Sequence, residues 1–121
     1  MIAAQELRIG NLIFIDNEFQ TITGIYNQLG DNDKVNYYVQ NKEFLDVNIE
    51  DIEPIPLTPE ILEKCGFENF GDNFRLNDFV IDYIGFQYRI MGNGRTIVLT
   101  SLHHLQNCYY FNTGQELDIK L

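Results

Sequence analysis

The side chains that could carry chemistry are few and scattered. His103 and His104 stand side by side, and Cys108 follows His104 at i+4, a spacing that can hold zinc on one helix face. A metal needs further ligands, and the chain has no third histidine and one other cysteine, Cys65. A histidine in the first turn of a helix is the plainer reading. A Cys-His pair, or a Ser-His-Asp set drawn from the 18 carboxylates, can be written on paper from Cys108 and His104. A nucleophile and base on one helix, beside its apolar stripe, seldom face a shared cleft. No catalytic residue, metal or cofactor is therefore assigned. Asp31-Asn32-Asp33 lacks the ligand spacing of a calcium loop. Gly92-Asn93-Gly94 precedes a strand rather than a helix and has no lysine, so it is not a phosphate loop.

Binding without catalysis asks for less. Arg89 and Arg95, on or beside one hairpin, could meet an anionic ligand, with Tyr38 as a stacking surface and His103 or His104 as polar contacts. A surface arginine, a strand tyrosine and helix-start histidines are the plainer reading of the same five residues. Gly24-Ile25-Tyr26 and Tyr83-Ile84-Gly85 match the tripeptides of the GIY-YIG nucleases. That family keeps the two close together on paired strands. Here nearly half the chain separates them, so the match is a coincidence.

Bulk composition narrows the classes. With 121 residues, 45% hydrophobic and 13% aromatic, the chain can bury a core as one compact domain or two small lobes. Its net charge is −10, and its eight Lys and Arg are dispersed, which disfavours a grip on a phosphate backbone. The acidity serves solubility, or forms a face for a basic partner. No apolar run approaches the length of a membrane span, and Met1–Glu6 does not read as a signal peptide. Cytoplasmic residence, with Cys65 and Cys108 as free thiols, is the expectation.

These residues must be positioned by elements on either side of one joint, residues 52–67. Pro54, Pro56 and Pro59 all lie in it, so 53–58 should be extended. Thr58 then caps a short helix at about 59–65, with Pro59 in its first position and Gly66 just past its end. Residues 1–56 read as a β-rich lobe: strands at 7–15 and 19–26, then 34–40 and 44–49. The loop at Asp16-Asn17-Glu18 holds two or three residues, and Gly24 predicts a bulge or bend. A small curved sheet or an SH3-like barrel would result.

Residues 57–121 read as an α+β lobe. After the helix, 67–74 is a connector with Phe67, Phe70 and Phe74. Short strands follow at 74–76 and 79–81, Gly85 interrupts, and 86–91 begins a hairpin turning at Asn93-Gly94. Its two-residue loop pairs Gly92 with Arg95, and so on to Tyr88 with Leu99. Thr100 or Ser101 caps a helix at 102–113 that Gly114 ends. Leu102, Leu105 and Tyr109 form its stripe. Tyr109, Tyr110 and Phe111 lie about 100° apart on that helix, so they cannot share one face. They predict an interface, in one version a symmetric dimer. Residues 115–121 form an edge strand or a loose tail.

Several segments together resemble a group of small proteins from phages and prophages of Bacteroidetes-type bacteria. They are Leu7-Arg-Ile-Gly-Asn11, Ile52-Glu-Pro-Ile-Pro-Leu-Thr58, Cys65-Gly-Phe67 and the stretch from Leu102 to Leu117. The resemblance implies a mobile-element protein in host cytoplasm and transfers no site residue. Three functions are consistent with it. One is a non-enzymatic binder of a small anionic ligand, such as a nucleotide signal of host immunity. The second is an acidic module that binds a host or virion protein. The third is a small enzyme.

Overall fold

The computed structural model describes residues 7–16, 18–27, 35–39, 45–48, 52–92 and 94–120. The fold is α+β, with two helices and antiparallel strands in two sheets among those residues. The chain divides into two compact units, Met1–Ile55 and Pro56–Leu121. Charge divides with it: residues 1–55 hold ten Asp and Glu against three Lys and Arg, and residues 56–121 hold eight against five.

The first unit is a four-stranded meander: β1 (Leu12–Ile15), β2 (Glu18–Asn27), β3 (Val35–Val39) and β4 (Leu45–Asn48). Ile15 pairs with Glu18, so the first loop has two residues, Asp16 and Asn17, and Asp16 sits at φ 50°. This register buries Ile13, Ile15, Gln20 and Ile22. The register slips between Ile22 and Gly24, the expected bulge. The sheet stays open, and no SH3-like barrel closes. A barrel requires its first and last strands to pair. Here the free edge of β1 takes one bridge instead, from Phe14 to Glu53, with both N–H···O distances 2.9 Å. Pro54 follows with no N–H to extend it. Asp31-Asn32-Asp33 lies outside the described residues.

The second unit begins with α1 (Pro59–Lys64). The Ile61 N–H donates to Thr58 Oγ1 at 3.2 Å, a cap that contributes about 1 kcal/mol. At the other end, the Gly66 N–H donates to the Glu63 carbonyl and the Phe67 N–H to the Leu62 carbonyl. That paired closure needs a left-handed residue between them, and Gly66 supplies it at φ 93°. Leu62 and Phe67, which flank the closure, are both buried.

Five strands follow in sequence order: β5 (Glu68–Asn69), β6 (Asn73–Leu76), β7 (Phe79–Ile84), β8 (Gln87–Gly92) and β9 (Arg95–Leu99). The connector read at 67–74 thus hides a strand: Glu68 pairs with Arg75 and Asn69 with Phe74. β8 and β9 pair as the Asn93-Gly94 turn requires, from Gly92 with Arg95 to Tyr88 with Leu99. Gly94 sits at φ 75°, and Asn93 lies outside the described residues.

Helix α2 (Leu102–Thr113) starts at Ser101 and ends at Gly114, whose φ is 73°. Leu102, Leu105 and Tyr109 are buried, as their spacing predicts, and so are His103 and Gln106. Within this unit the core consists of these residues with Leu62, Cys65, Phe67, Phe74, Ile81, Ile90, Leu99 and Leu117. Residues 115–120 form no strand. The Lys120 N–H donates to the Lys64 carbonyl at 2.9 Å, and Leu117 is buried.

Candidate functional site

The register of the second sheet decides where its arginines stand. Side chains alternate across a strand, and directly paired residues share a face. Phe74, Ile81, Tyr88, Ile90, Ile97 and Leu99 therefore lie on one face, and Arg75, Asp82, Arg89, Met91 and Val98 on the other. By the same alternation Arg95 belongs with Ile97 and Leu99. Arg89 and Arg95 thus occupy opposite faces and make no common anion clamp within this unit. The Arg89 guanidinium is already engaged, donating to Gln87 Oε1 from Nε at 3.2 Å and from a terminal nitrogen at 2.7 Å. Arg75 lies over the exposed ring of Phe70, 5.2 Å from its centroid.

The other expected ligand contacts separate as well. His103 is 2% exposed, and its Nδ1 lies 3.0 Å from Ser101 Oγ, which is equally buried. This is a serine beside a histidine, but neither side chain reaches solvent where a substrate could meet them. His104 is half-buried. Its Nδ1 lies 3.4 Å from the Thr100 nitrogen and 3.4 Å from Thr100 Oγ1, which fits the helix-start reading. Tyr38 belongs to β3 of the first unit. Among the described residues no three His, Cys, Asp or Glu side chains cluster in a way that could hold a metal ion. Gly24-Ile25-Tyr26 and Tyr83-Ile84-Gly85 fall on strands of different sheets or at their ends.

Both cysteines are free thiols. Burial pushes the Cys65 thiol up to about 12 and raises that of Cys108. A thiol held protonated is a poor nucleophile, so neither has the character of a catalytic cysteine.

Among the described residues, two adjoining depressions mark the surface of the second unit near the end of α2. The larger, about 520 Å³, lies between the end of α1, Tyr109 and residues 115–120. Glu63, Glu116 and Asp118 line it together with Lys64 and Lys120, a mixture that favours neither sign of ligand. The smaller, about 310 Å³, shares Leu76, Tyr109 and Gln115 with it and extends to Asn112. Neither is lined by Arg89, Arg95, His103 or His104.

The expected interface at the end of α2 divides. Tyr109 turns inward, its ring edge-on to Phe79, and is 6% exposed. Within this unit it is a core residue, because the helix stripe carries it onto the sheet. Tyr110 is 46% and Phe111 89% exposed. One apolar site went unread in the sequence, the tip of the β7–β8 hairpin. There Tyr83, Ile84 and Phe86 are all exposed. Phe86 reads as the start of a strand, yet it belongs to the turn. The available signal was two alternating runs separated by Gly85-Phe86. No family model, curated protein or solved structure matches the chain.

Proposed function

We propose that this chain is a non-enzymatic, acidic protein-binding module, a mobile-element product that acts in the host cytoplasm by engaging a host or virion protein. The observation that carries the reading is at the last turns of α2. Tyr109 is buried there, while Phe111, two residues on, leaves 89% of its surface in water beside a half-exposed Tyr110. Exposed aromatic surface on a small acidic chain is what a protein interface uses. Of the residues expected to hold a small anion, Arg89 and Arg95 lie on opposite faces of one sheet and His103 is buried. No helix among the described residues is long and apolar enough to cross a membrane.

The test pairs two measurements. A thermal-shift screen against cyclic and ADP-ribose-type nucleotides should leave Tm unchanged. Affinity capture with the tagged chain should enrich one protein that binds directly when purified. That binding should weaken at least tenfold in the Tyr110→Ser/Phe111→Ser variant, with the variant's Tm preserved. A nucleotide that raises Tm by several degrees would replace this reading with the ligand-sequestering one.

A further inference from the structure

We propose that this chain pairs with a second copy of itself through the free edge of β9, forming one antiparallel sheet across a two-fold axis at Ile97. This goes beyond the protein-binding reading and does not rest on it. The unpaired backbone of an edge strand is a template for another strand, and folded chains usually blunt it. Two other edges here are blunted. β1 is bridged by Glu53, after which Pro54 offers no N–H. β5 has two residues, begins with Glu68 and runs into a turn that the Phe70 N–H closes on the Asn73 carbonyl. β8 is paired on both sides, joined to β7 through Gly85 at φ 61° and Phe86 at φ 63°.

β9 carries none of these devices. Its five residues, Arg95-Thr-Ile-Val-Leu99, include no proline and no acidic side chain, and its register against β8 is unbroken. Thr96, Ile97 and Val98 are all β-branched, which favours extended pairing. Among the described residues no strand pairs with its far side. Arg95 and Thr96 are exposed and Ile97 is 39% exposed, so this edge meets solvent.

Parity identifies the occupant. Gly92 and Arg95 flank a two-residue loop, and such a pair exchanges its backbone hydrogen bonds. Bonded and non-bonded pairs then alternate, so Ile97 and Leu99 also bond inward to β8. The N–H and C=O groups of Thr96 and Val98 therefore point outward, placed symmetrically about Ile97. A second β9 running antiparallel, with one Ile97 opposite the other, takes all four: Thr96 bonds the copy's Val98, and Val98 the copy's Thr96. Pairing shifted by one residue would set outward groups of one strand against inward groups of the other.

The side chains agree with this register. Ile97 meets Ile97 at a non-bonded pair, where side chains approach most closely, so their exposed parts cover each other. Thr96 meets Val98 and Arg95 meets Leu99, so no like charges stand opposite one another. The two Arg95 lie about 14 Å apart, beyond the screening length of about 8 Å at physiological salt. The acidity of the chain does not oppose the contact locally, because β8 and β9 hold no Asp or Glu. An edge of five residues is about 17 Å long, a small interface, so the dimer should dissociate on dilution.

The experiment uses the full chain with Cys108→Ser. Opposed residues at the axis have Cα atoms about 4.5 Å apart, within disulfide range. Ile97→Cys should therefore give a disulfide-linked dimer under mild oxidation. Thr96→Cys, whose own image lies about 9 Å away, should give at least tenfold less. Sedimentation of the parent chain across a concentration series should show a monomer–dimer equilibrium. Thr96→Lys/Val98→Lys sets lysines opposite each other and should weaken it at least tenfold, while Thr96→Lys/Val98→Glu should restore it. If the lysine variant unfolds, the cysteine comparison still decides. A parent chain that is monomeric at every concentration overturns the proposal. So does equal crosslinking at 96 and 97, or a dimer that the two lysines leave intact and Tyr110→Ser/Phe111→Ser abolishes. A chain that joins a different protein at position 97, and not its copy, overturns it too. A monomer whose Tyr110 and Phe111 surface still captures a protein leaves the protein-binding reading in place.

Discussion

The ring of Tyr109 meets that of Phe79 edge-on, with centroids 5.3 Å apart and planes at 66°. Phe79 in turn lies 6.1 Å from Phe67, which follows the closure of α1. One line of aromatics therefore joins both helices to the sheet of the second unit. Tyr109→Ala should cost about 3 kcal/mol, the usual scale for truncating a large buried ring. Phe111→Ala, two residues away, should change stability by less than about 0.5 kcal/mol. Urea unfolding of the two variants decides it. Equal losses would mean that Phe111 is packed in solution.

The buried thiols set an alkaline limit. Burial raises Cys65 from an ordinary value near 9 to about 12, so the folded state favours the neutral thiol. Its contribution is fully present below the unfolded value and declines as pH rises from about 9 towards 12. Cys108 adds to the trend through its own burial. Tyr88 does likewise through burial first, then the nearby Tyr83 and Glu60. Stability should be flat between pH 7 and 8 and fall between pH 9 and 11, and Cys65→Ala should show a shallower fall. Denaturant midpoints at four pH values measure this. An identical slope in Cys65→Ala would remove Cys65 as a cause.

The β8–β9 turn can be tested by a side chain that meets no obstacle. A Cβ at Gly94 would have nothing within 4 Å, so substitution there probes backbone conformation alone. With φ at 75°, Gly94→Val should destabilise by about 1–2 kcal/mol. Gly94→Asn should cost less, since asparagine tolerates this region. Equal losses for the two variants would remove the left-handed assignment.

Legibility in the sequence tracked how local the governing physics is. Thr58-Pro59 and Gly66 bounded α1, Gly114 ended α2, and Asn93-Gly94 fixed five pairings, because each acts through its own backbone conformation. Gly24 announced its bulge for the same reason. Asp16-Asn17-Glu18 is compatible with two loop lengths in the first hairpin, and only the pairing of Ile15 with Glu18 chooses between them. β5 was hidden because its two residues gain their partner only when Arg75 and Phe74 come alongside. That the first sheet stays open is likewise a matter of non-local pairing, with Phe14 of β1 bridged to Glu53 rather than β1 paired with β4. The candidate ligand residues suffered most. Their chemistry is visible in a sequence, but that Arg89 and Arg95 diverge follows from strand parity, and that His103 is enclosed follows from tertiary packing.

The two turns that bracket β8 differ in what it takes to form them, and that difference sets an order of events. Asn93-Gly94 favours the left-handed geometry and brings β8 and β9 together in the unfolded chain at little cost. Gly85-Phe86 resists it, so β7 gains its place beside β8 only when the rest of the sheet rewards the bend. Folding of this unit should therefore start at the β8–β9 hairpin and reach the Phe86 tip late. Kinetic φ-values should be high for Ile90→Val and Leu99→Ala and low for Ile81→Val. The reverse ranking would place nucleation elsewhere.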